Sequence, residues 1–534
     1  MPSVSETRPL SSNPNLVLIA PPTTITGRYG DPAAYNFYDR RRLNPSCPPL
    51  GIPPIHAVLN NTGFGNIYSA DLRFNRGGKL TEEDSERLKN ADALLLTAIT
   101  LNSGPALGLA EVYKRLNPQG TVIMGGPHAT ALSEEVLENG VDYVVRGEGD
   151  QTIVELINRL IESGDAEGIL GVSYRNGDGI IHNKPRPFLT EEELASLPHS
   201  IVPEGVIYKH TSHSMNSSRG CPYGCDFCGV SEFFGRSYRR ISNDWSIAEL
   251  KRIRERNQLY EKNGGKPKGI FFADDNFFAG GTPQREVVKD FLREATEEDL
   301  IPPGSFIQVR ADVAEDDVFL ALLSRSNIER VCIGIESVND EALRNIHKRT
   351  TREKIERNIG EFRRAGLWVH GMFILGLDGD TKDTIRNTVA WAKQHVHSAQ
   401  FFAPGPLPGT ALTKDMEDAE RILTKEYSLY DGSTVLIMPL GLSPYELQVE
   451  IERAHREFYS LWRAGRLIKA DERIYGRARN AARMVVYDRK LRLAELVGMG
   501  GLRNDEVKRL YIEQLKRISQ KGRESGELIA FPAR

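Results

Sequence analysis

Gly220-Cys-Pro-Tyr-Gly-Cys-Asp-Phe-Cys-Gly229 sets Cys221, Cys225 and Cys228 at C-x3-C-x2-C spacing. The chain has five cysteines in 534 residues, so three in one short loop is not a chance grouping. An iron–sulfur cluster normally takes four thiolates. Three leave one iron open, and an open metal position is where chemistry on a bound molecule can occur. A structural zinc site is the competing reading, and it needs a fourth ligand. His210 or His213, just upstream, is placed to supply one. The clustering and the odd cysteine count argue against a disulfide framework and for a reducing compartment.

Outward from this loop, from about Ser212 to Phe402, apolar runs alternate with charged amphipathic stretches. Gly269-Ile-Phe-Phe-Ala273, Ser305-Phe-Ile-Gln-Val309, Arg330-Val-Cys-Ile-Gly-Ile335 and Val369-His-Gly-Met-Phe-Ile374 read as parallel strands. In a βα barrel the carboxyl ends of such strands carry the site. Those ends read Asp274-Asp-Asn-Phe277, Arg310-Ala-Asp312, Glu336-Ser-Val-Asn339 and Gly376-Leu-Asp-Gly-Asp380. Any one is an ordinary helix N-cap; four at equivalent positions mark a site. Cys332 sits in an apolar strand and reads as core, a lumen-facing position being the alternative.

Further upstream, Asn15 to about Ser163 has the same alternation. Leu16–Ala20, Ala93–Thr97, Thr121–Met124 and Asp142–Val145 fit buried parallel strands, with helices over Ser103–Leu116 and Ser133–Asn139. This predicts a doubly wound sheet that binds ligand at its carboxyl strand ends. Two of those ends carry the loops Gly125-Gly-Pro-His-Ala-Thr130 and Arg146-Gly-Glu-Gly149. Tyr35 to Pro54 is too proline-rich for regular structure, and its Cys47 reads as a bystander. Gly171 to Arg186 reads as a hairpin in a linker.

The cysteine spacing resembles that of radical S-adenosylmethionine (SAM) enzymes. The glycine loops ahead of it make the chain similar to their cobalamin-binding subfamily, over roughly residues 15–410. The resemblance implies an α/β fold: an amino-terminal Rossmann-like cobalamin-binding domain, a central partial (βα)6 TIM-type barrel and a carboxyl-terminal helical region. It implies a [4Fe–4S] cluster on Cys221, Cys225 and Cys228. SAM would meet Phe227, Asp274, Asp275, Gln308, Arg310, Glu336 and Ser337, and cobalamin would meet Thr97, Ser103, Gly125, Gly126, Pro127, His128 and Glu148. Asp-x-His-x-x-Gly, which supplies an axial histidine in other cobalamin enzymes, is missing, and His128 reads as a loop residue packing on the cobalamin tail. The expected boundaries are a disordered 1–14, cobalamin domain 15–165, linker 166–205, barrel 206–410 and helical substrate-side domain 411–534.

The implied reaction is methylation of an unactivated carbon through a 5′-deoxyadenosyl radical. Carbon–carbon coupling, cyclisation or rearrangement without methyl transfer is the alternative. tRNA methylthiolation needs three more cysteines than Cys47 and Cys332 provide. The expected partners are a small-molecule or lipid substrate and a low-potential donor such as flavodoxin or ferredoxin, with no nucleic acid. Hydrophobic content of 40% and charged content of 26% are those of a soluble globular protein. The longest apolar run, Ala93 to Ile99, is too short to span a bilayer. The first residues lack the apolar core of a signal peptide. A cytoplasmic protein follows, peripheral to a membrane if its substrate is a lipid. From Gly441 onward 20 Lys and Arg face 13 Asp and Glu. That basic surplus suits an anionic partner or simply a solvated helical face. Helices are expected over 444–464, 471–496 and 505–520, with Phe458, Tyr459 and Trp462 in helix packing or over the barrel mouth.

Overall fold

The computed structural model describes residues 9–22, 38–39, 44–45, 51–64, 66–74, 80–177, 179–201, 212–460 and 510–517. Cys47, His210, Trp462 and the helix expected over 471–496 lie outside the described residues.

The first sheet has strands β1 Asn15–Ala20, β2 Asn66–Asp71, β3 Ala93–Thr97, β4 Thr121–Gly125, β5 Tyr143–Val145, β6 Val172–Asn176 and β7 Gly179–His182. Their spatial order is β2-β1-β3-β4-β5-β6-β7. The first five are parallel, in the doubly wound 2-1-3-4-5 order. That order reverses direction between β1 and β3, and ligands bind at such a switch point, outside the carboxyl strand ends. Apolar residues of both strand faces are buried, one set around Leu16, Leu18 and Leu156, the other around Val17, Leu94 and Tyr113. A parallel sheet covered on both faces must read as continuous apolar runs, as these strands do.

Two expectations change here. The hairpin β6–β7 is no linker: Val145 pairs with Val172 and Tyr143 with Tyr174, extending the sheet antiparallel. Nor does the proline-rich stretch lack structure. Tyr38–Asp39 pairs with Asn44–Pro45, and helix α1, Ile52–Asn61, carries Pro53 and Pro54 in its first turn. The first-turn amides have no helical partner to lose, so proline is tolerated there.

The second sheet has six parallel strands in sequential order: β8 His213–Met215, β9 Ile270–Phe272, β10 Ser305–Val309, β11 Ile328–Glu336, β12 Trp368–Ile374 and β13 Ser398–Phe402. Helices α2 Asn243–Lys262, α3 Thr282–Glu297, α4 Asp317–Arg325, α5 Arg352–Arg364 and α6 Lys382–His395 form the crossovers. Strand residues such as Ile307, Val331 and Val369 bury against these helices with Phe291, Phe319 and Phe362. Each such side chain contributes roughly 1.5–3 kcal/mol of apolar burial. Phe271, Ala273, Phe306 and Cys332 form a separate cluster with Met372, on the opposite, lumen side of the strands. Cys332 therefore faces the lumen, in register with Gln308 and His370.

Helix α7, Pro444–Phe458, packs along α6 and β13. Tyr459 follows it, and its hydroxyl bonds both the amide (3.0 Å) and the carbonyl (2.6 Å) of Ala399, covering the open edge of β13. Phe458 is fully buried against Phe401, so this pair packs on the barrel wall.

Candidate active site at two sets of strand ends

The loop bearing the cysteines is closed at its base by a two-residue ladder, Ser218 pairing with Arg240 and Arg219 with Arg239. Two neighbouring carboxylates at the end of β9 fix its entry. Asp274 is fully buried, and its Oδ1 accepts the Ser217 amide (3.0 Å) and hydroxyl (2.9 Å) and the Ser218 hydroxyl. Asp275 Oδ2 accepts the Gly220 amide at 3.0 Å. Gly220 has φ +81°, and a Cβ there would lie 2.3 Å from the Ser237 carbonyl, so only glycine turns the chain into Cys221. At the loop's far side the Leu412 amide bonds the Asp226 carbonyl at 2.9 Å and His347 meets its carboxylate at 2.6 Å.

All three cysteines are half-buried free thiols. Burial pushes the Cys228 thiol up to about 11, and the adjacent Cys225, Cys221 and Asp275 add to the rise. Cys221 is raised by burial and by Asp275 and Cys225, with Arg310 opposing. The cysteines, Asp275 and Arg310 thus form one electrostatic group. Arg310 lies 4.1 Å over the Tyr223 ring. Burial, reinforced by Asp274, pushes Asp275 up to about 6.

The remaining strand ends surround this group. Gln308 is half-buried, its amide 3.4 Å from the Asp274 carbonyl. Glu336 ends β11 at φ +64°, a strained conformation for a side chain, next to a break in the β11–β12 register. Its carboxylate pairs with buried Lys348 at 2.8 Å. Gly334 leaves room for it, since a Cβ there would be 2.5 Å from Glu336 Oε1. The Ser337 hydroxyl accepts the Asn339 amide at 3.0 Å. Phe227 packs against the cluster of Ala342, Ile346, Ile374 and Leu377.

On the first sheet, Thr97, Gly125 and Gly126 adjoin at the ends of β3 and β4. Gly126 has φ +96°, and a Cβ would come within 2.7 Å of the Ala98 carbonyl. Pro127 begins the short helix after it. Ser103 is buried and bonds the Thr100 carbonyl at 2.9 Å. The His128 ring is buried edge-on against Tyr427, with centroids 5.0 Å apart. Neither ring nitrogen makes a hydrogen bond among the described residues, and burial pushes its pKa down to about 4.

Two of the expected contact residues have protein partners across the fold. Glu148, expected toward cobalamin, instead reaches the barrel: it pairs with Arg219 at 3.0 Å and Arg239 at 2.8 Å and accepts the Leu189 amide at 2.8 Å. Asp274, expected to meet SAM, holds Ser217 and Ser218 beneath the loop through Oδ1, its buried Oδ2 having no hydrogen-bond partner among the described residues, and Asp275 is the carboxylate among the cysteines. Lys348, Tyr223, Tyr427, Arg219 and Arg239 were not singled out from sequence. Lys348 stands 12 residues from Glu336, the partners of the others lie far along the chain, and no local pattern announces any of them. The zinc alternative loses His213, whose Nε2 meets Asn257 Oδ1 at 3.0 Å. Among the described residues no three His, Cys, Asp or Glu side chains converge as ligands of a single metal ion.

Residues 215–392 match the radical SAM superfamily, and residues 41–157 match the B12 binding domain. The chain is a radical SAM enzyme with a B12 binding domain. The radical SAM enzyme is 26% identical to an uncharacterized methyltransferase of Pyrococcus horikoshii, over 79% of this chain and 89% of the relative. It is 26% identical to the hopanoid C-3 methylase of Methylococcus capsulatus, over 78% of each chain. It is 25% identical to the anaerobic magnesium-protoporphyrin IX monomethyl ester cyclase of Cereibacter sphaeroides, over 78% of this chain and 67% of the relative. The fold is shared with the cobalamin-dependent SAM radical enzyme OxsB, at TM-score 0.65 and 14% identity over 98% of this chain and 82% of that one. It is also shared with the radical SAM methyltransferase TsrM of Kitasatospora setae, at TM-score 0.60 and 17% identity over 76% of this chain and 75% of that one.

A radical SAM domain takes a [4Fe–4S] cluster and SAM, and a B12 binding domain takes cobalamin. The residues present fit these groups. Three neighbouring thiols share one glycine-turned loop and leave the fourth cluster position open. The first sheet offers its switch point, with Gly126 pressed onto the β3 loop and Ile99 exposed beside it. Among the described residues no helix is long and apolar enough to cross a membrane.

Proposed function

We propose that the protein is a cytoplasmic, cobalamin-dependent radical SAM C-methyltransferase that acts on an unactivated carbon of a small-molecule or lipid substrate and draws electrons from flavodoxin or ferredoxin. When bound, the cluster and SAM supply a 5′-deoxyadenosyl radical for hydrogen abstraction, and cobalamin supplies the methyl group. The observation that carries this reading is the contact of the segment after the barrel's last strand with the helices that follow β4. The Tyr427 hydroxyl bonds Glu135 at 3.2 Å and its ring meets His128, while the same segment continues from the barrel's last strand.

Cys221, Cys225 and Cys228 hold the cluster in this reading. Asp275, ionised above about pH 6, accepts from the SAM amino group. Arg310 and Gln308 face the SAM carboxylate or ribose, and Phe227 packs by the adenine. Glu336 and Ser337 approach the ribose, the Lys348 pair holding Glu336 in its strained backbone. Thr97, Ser103, Gly125, Gly126, Pro127 and His128 line the cobalamin tail. His128, buried edge-on against Tyr427, would pack beside that tail. The walls position three reactants and exclude water, and hydrogen abstraction needs no general base from the chain.

Similarity to the magnesium-protoporphyrin ester cyclase favours a second reading, ring closure without methyl transfer. The test is product analysis of the reconstituted enzyme under reducing anaerobic conditions with candidate acceptors. Methylation forms S-adenosylhomocysteine together with 5′-deoxyadenosine. Ring closure forms 5′-deoxyadenosine alone.

A further inference from the structure

Arg219 and Arg239 face each other across the ladder that closes the cysteine loop, and both reach out of the barrel to the same place. Arg219 grips Asp150 with both guanidinium nitrogens, at 2.7 and 3.0 Å, and reaches Glu148 Oε1 at 3.0 Å. Arg239 takes Glu148 Oε2 at 2.8 Å and also donates to the Leu189 carbonyl at 2.9 Å. All four side chains are buried or nearly so. Glu148 and Asp150 flank Gly149 at the start of the helix after β5, whose last residue, Val145, abuts Gly125 at the end of β4. Arg219 in turn precedes Cys221 by a single residue, Gly220, whose amide Asp275 holds.

A buried two-plus-two charge cluster contributes little net stability compared with apolar packing of the same volume. A bidentate Arg–carboxylate fork fixes orientation as well as distance. Here one such fork, Arg219 to Asp150, and the single contact of Arg239 to Glu148 connect the two domains. We infer that Glu148 and Asp150, residues of the amino-terminal domain, are positioning residues for the cluster loop and set the placement of Cys221 through Arg219 and Arg239. The inference rests on the cluster reading of the three cysteines.

The test compares Asp150→Asn and Glu148→Gln with Asp142→Asn, each reconstituted anaerobically as the full chain. Asp142 pairs with Lys114 at 2.6 Å and accepts the Val122 amide at 2.7 Å, both within the amino-terminal domain, and controls for loss of a paired carboxylate there. The readouts are iron content, cobalamin content and the electron paramagnetic resonance spectrum of the reduced cluster with and without SAM. Asp150→Asn and Glu148→Gln should keep cobalamin yet alter the spectral change that SAM induces. Their 5′-deoxyadenosine formation should fall roughly a hundredfold, the scale of a misplacement of about 1 Å. Asp142→Asn should match the wild type in both. If Asp150→Asn does not fold, Glu148→Gln decides. Wild-type spectra in the two variants, or an equal disturbance in Asp142→Asn, would overturn the inference. A wild-type protein that binds no cluster would instead defeat the cysteine reading.

Discussion

Asp274 and Asp275 are adjacent carboxylates with different duties. Asp274 holds Ser217 and Ser218 beneath the loop, so Asp274→Ala leaves buried donors unpaired and should cost about 1–3 kcal/mol each, read as a fall in thermal midpoint. Asp275 stands among the thiols, raised to about 6 by burial. It is ionised above that value and protonated below it. SAM affinity should therefore weaken as pH falls from 7 to 5 and become pH-independent over that range in Asp275→Asn; an unchanged pH profile in the variant would remove Asp275 from the site. The three cysteines were legible because their spacing is local. The partners of Glu148 were not, since Arg219 and Arg239 lie 71 and 91 residues away and nothing in an Arg-Gly-Glu-Gly loop distinguishes an ion pair from a ligand contact. Cys332→Ala should leave SAM cleavage largely intact, and total loss in an assay of 5′-deoxyadenosine would move this lumen-facing thiol into the reaction.

At the level of elements, strand cores were readable wherever a parallel strand is buried on both faces. β3 and β10 match the expected spans to the residue, and β11 is longer by two residues at its start and one at its end. β6 and β7 read as a linker hairpin because an edge hairpin shows the same turn signals whether or not it joins a sheet. α1 was missed because its prolines, which break helix interiors, sit in its first turn. The turn at Gly126 gives the element-scale prediction. With φ +96° and the Ala98 carbonyl in the path of a Cβ, Gly126→Ala should destabilise the first domain by more than about 1 kcal/mol and lower its cobalamin affinity. Equal binding of hydroxocobalamin by variant and wild type would place the corrin elsewhere.

Across the molecule, burial holds three histidines neutral, His128 and His213 at about 4 and His370 at about 3. Each folded value lies below the unfolded one, so the unfolded chain takes up protons first. Their contribution to stability is complete above about pH 6.5 and is lost as pH falls below it. The thermal midpoint should decline between pH 6.5 and 5, and His128→Phe should lessen the slope. The order of a doubly wound domain followed by a partial barrel was readable from alternating patterns. The docking between domains was not, because it depends on Tyr427, Arg219 and Arg239 meeting residues hundreds or tens of positions away. One chain is to carry both a radical SAM cluster and cobalamin. Anaerobic reconstitution with iron, sulfide and hydroxocobalamin, followed by metal analysis and a visible spectrum of the desalted protein, tests it most directly. About four irons and about one cobalt per chain are expected, with the iron lost in Cys221→Ala, Cys225→Ala and Cys228→Ala. Iron without cobalt, or a wild-type protein that retains neither, would contradict it.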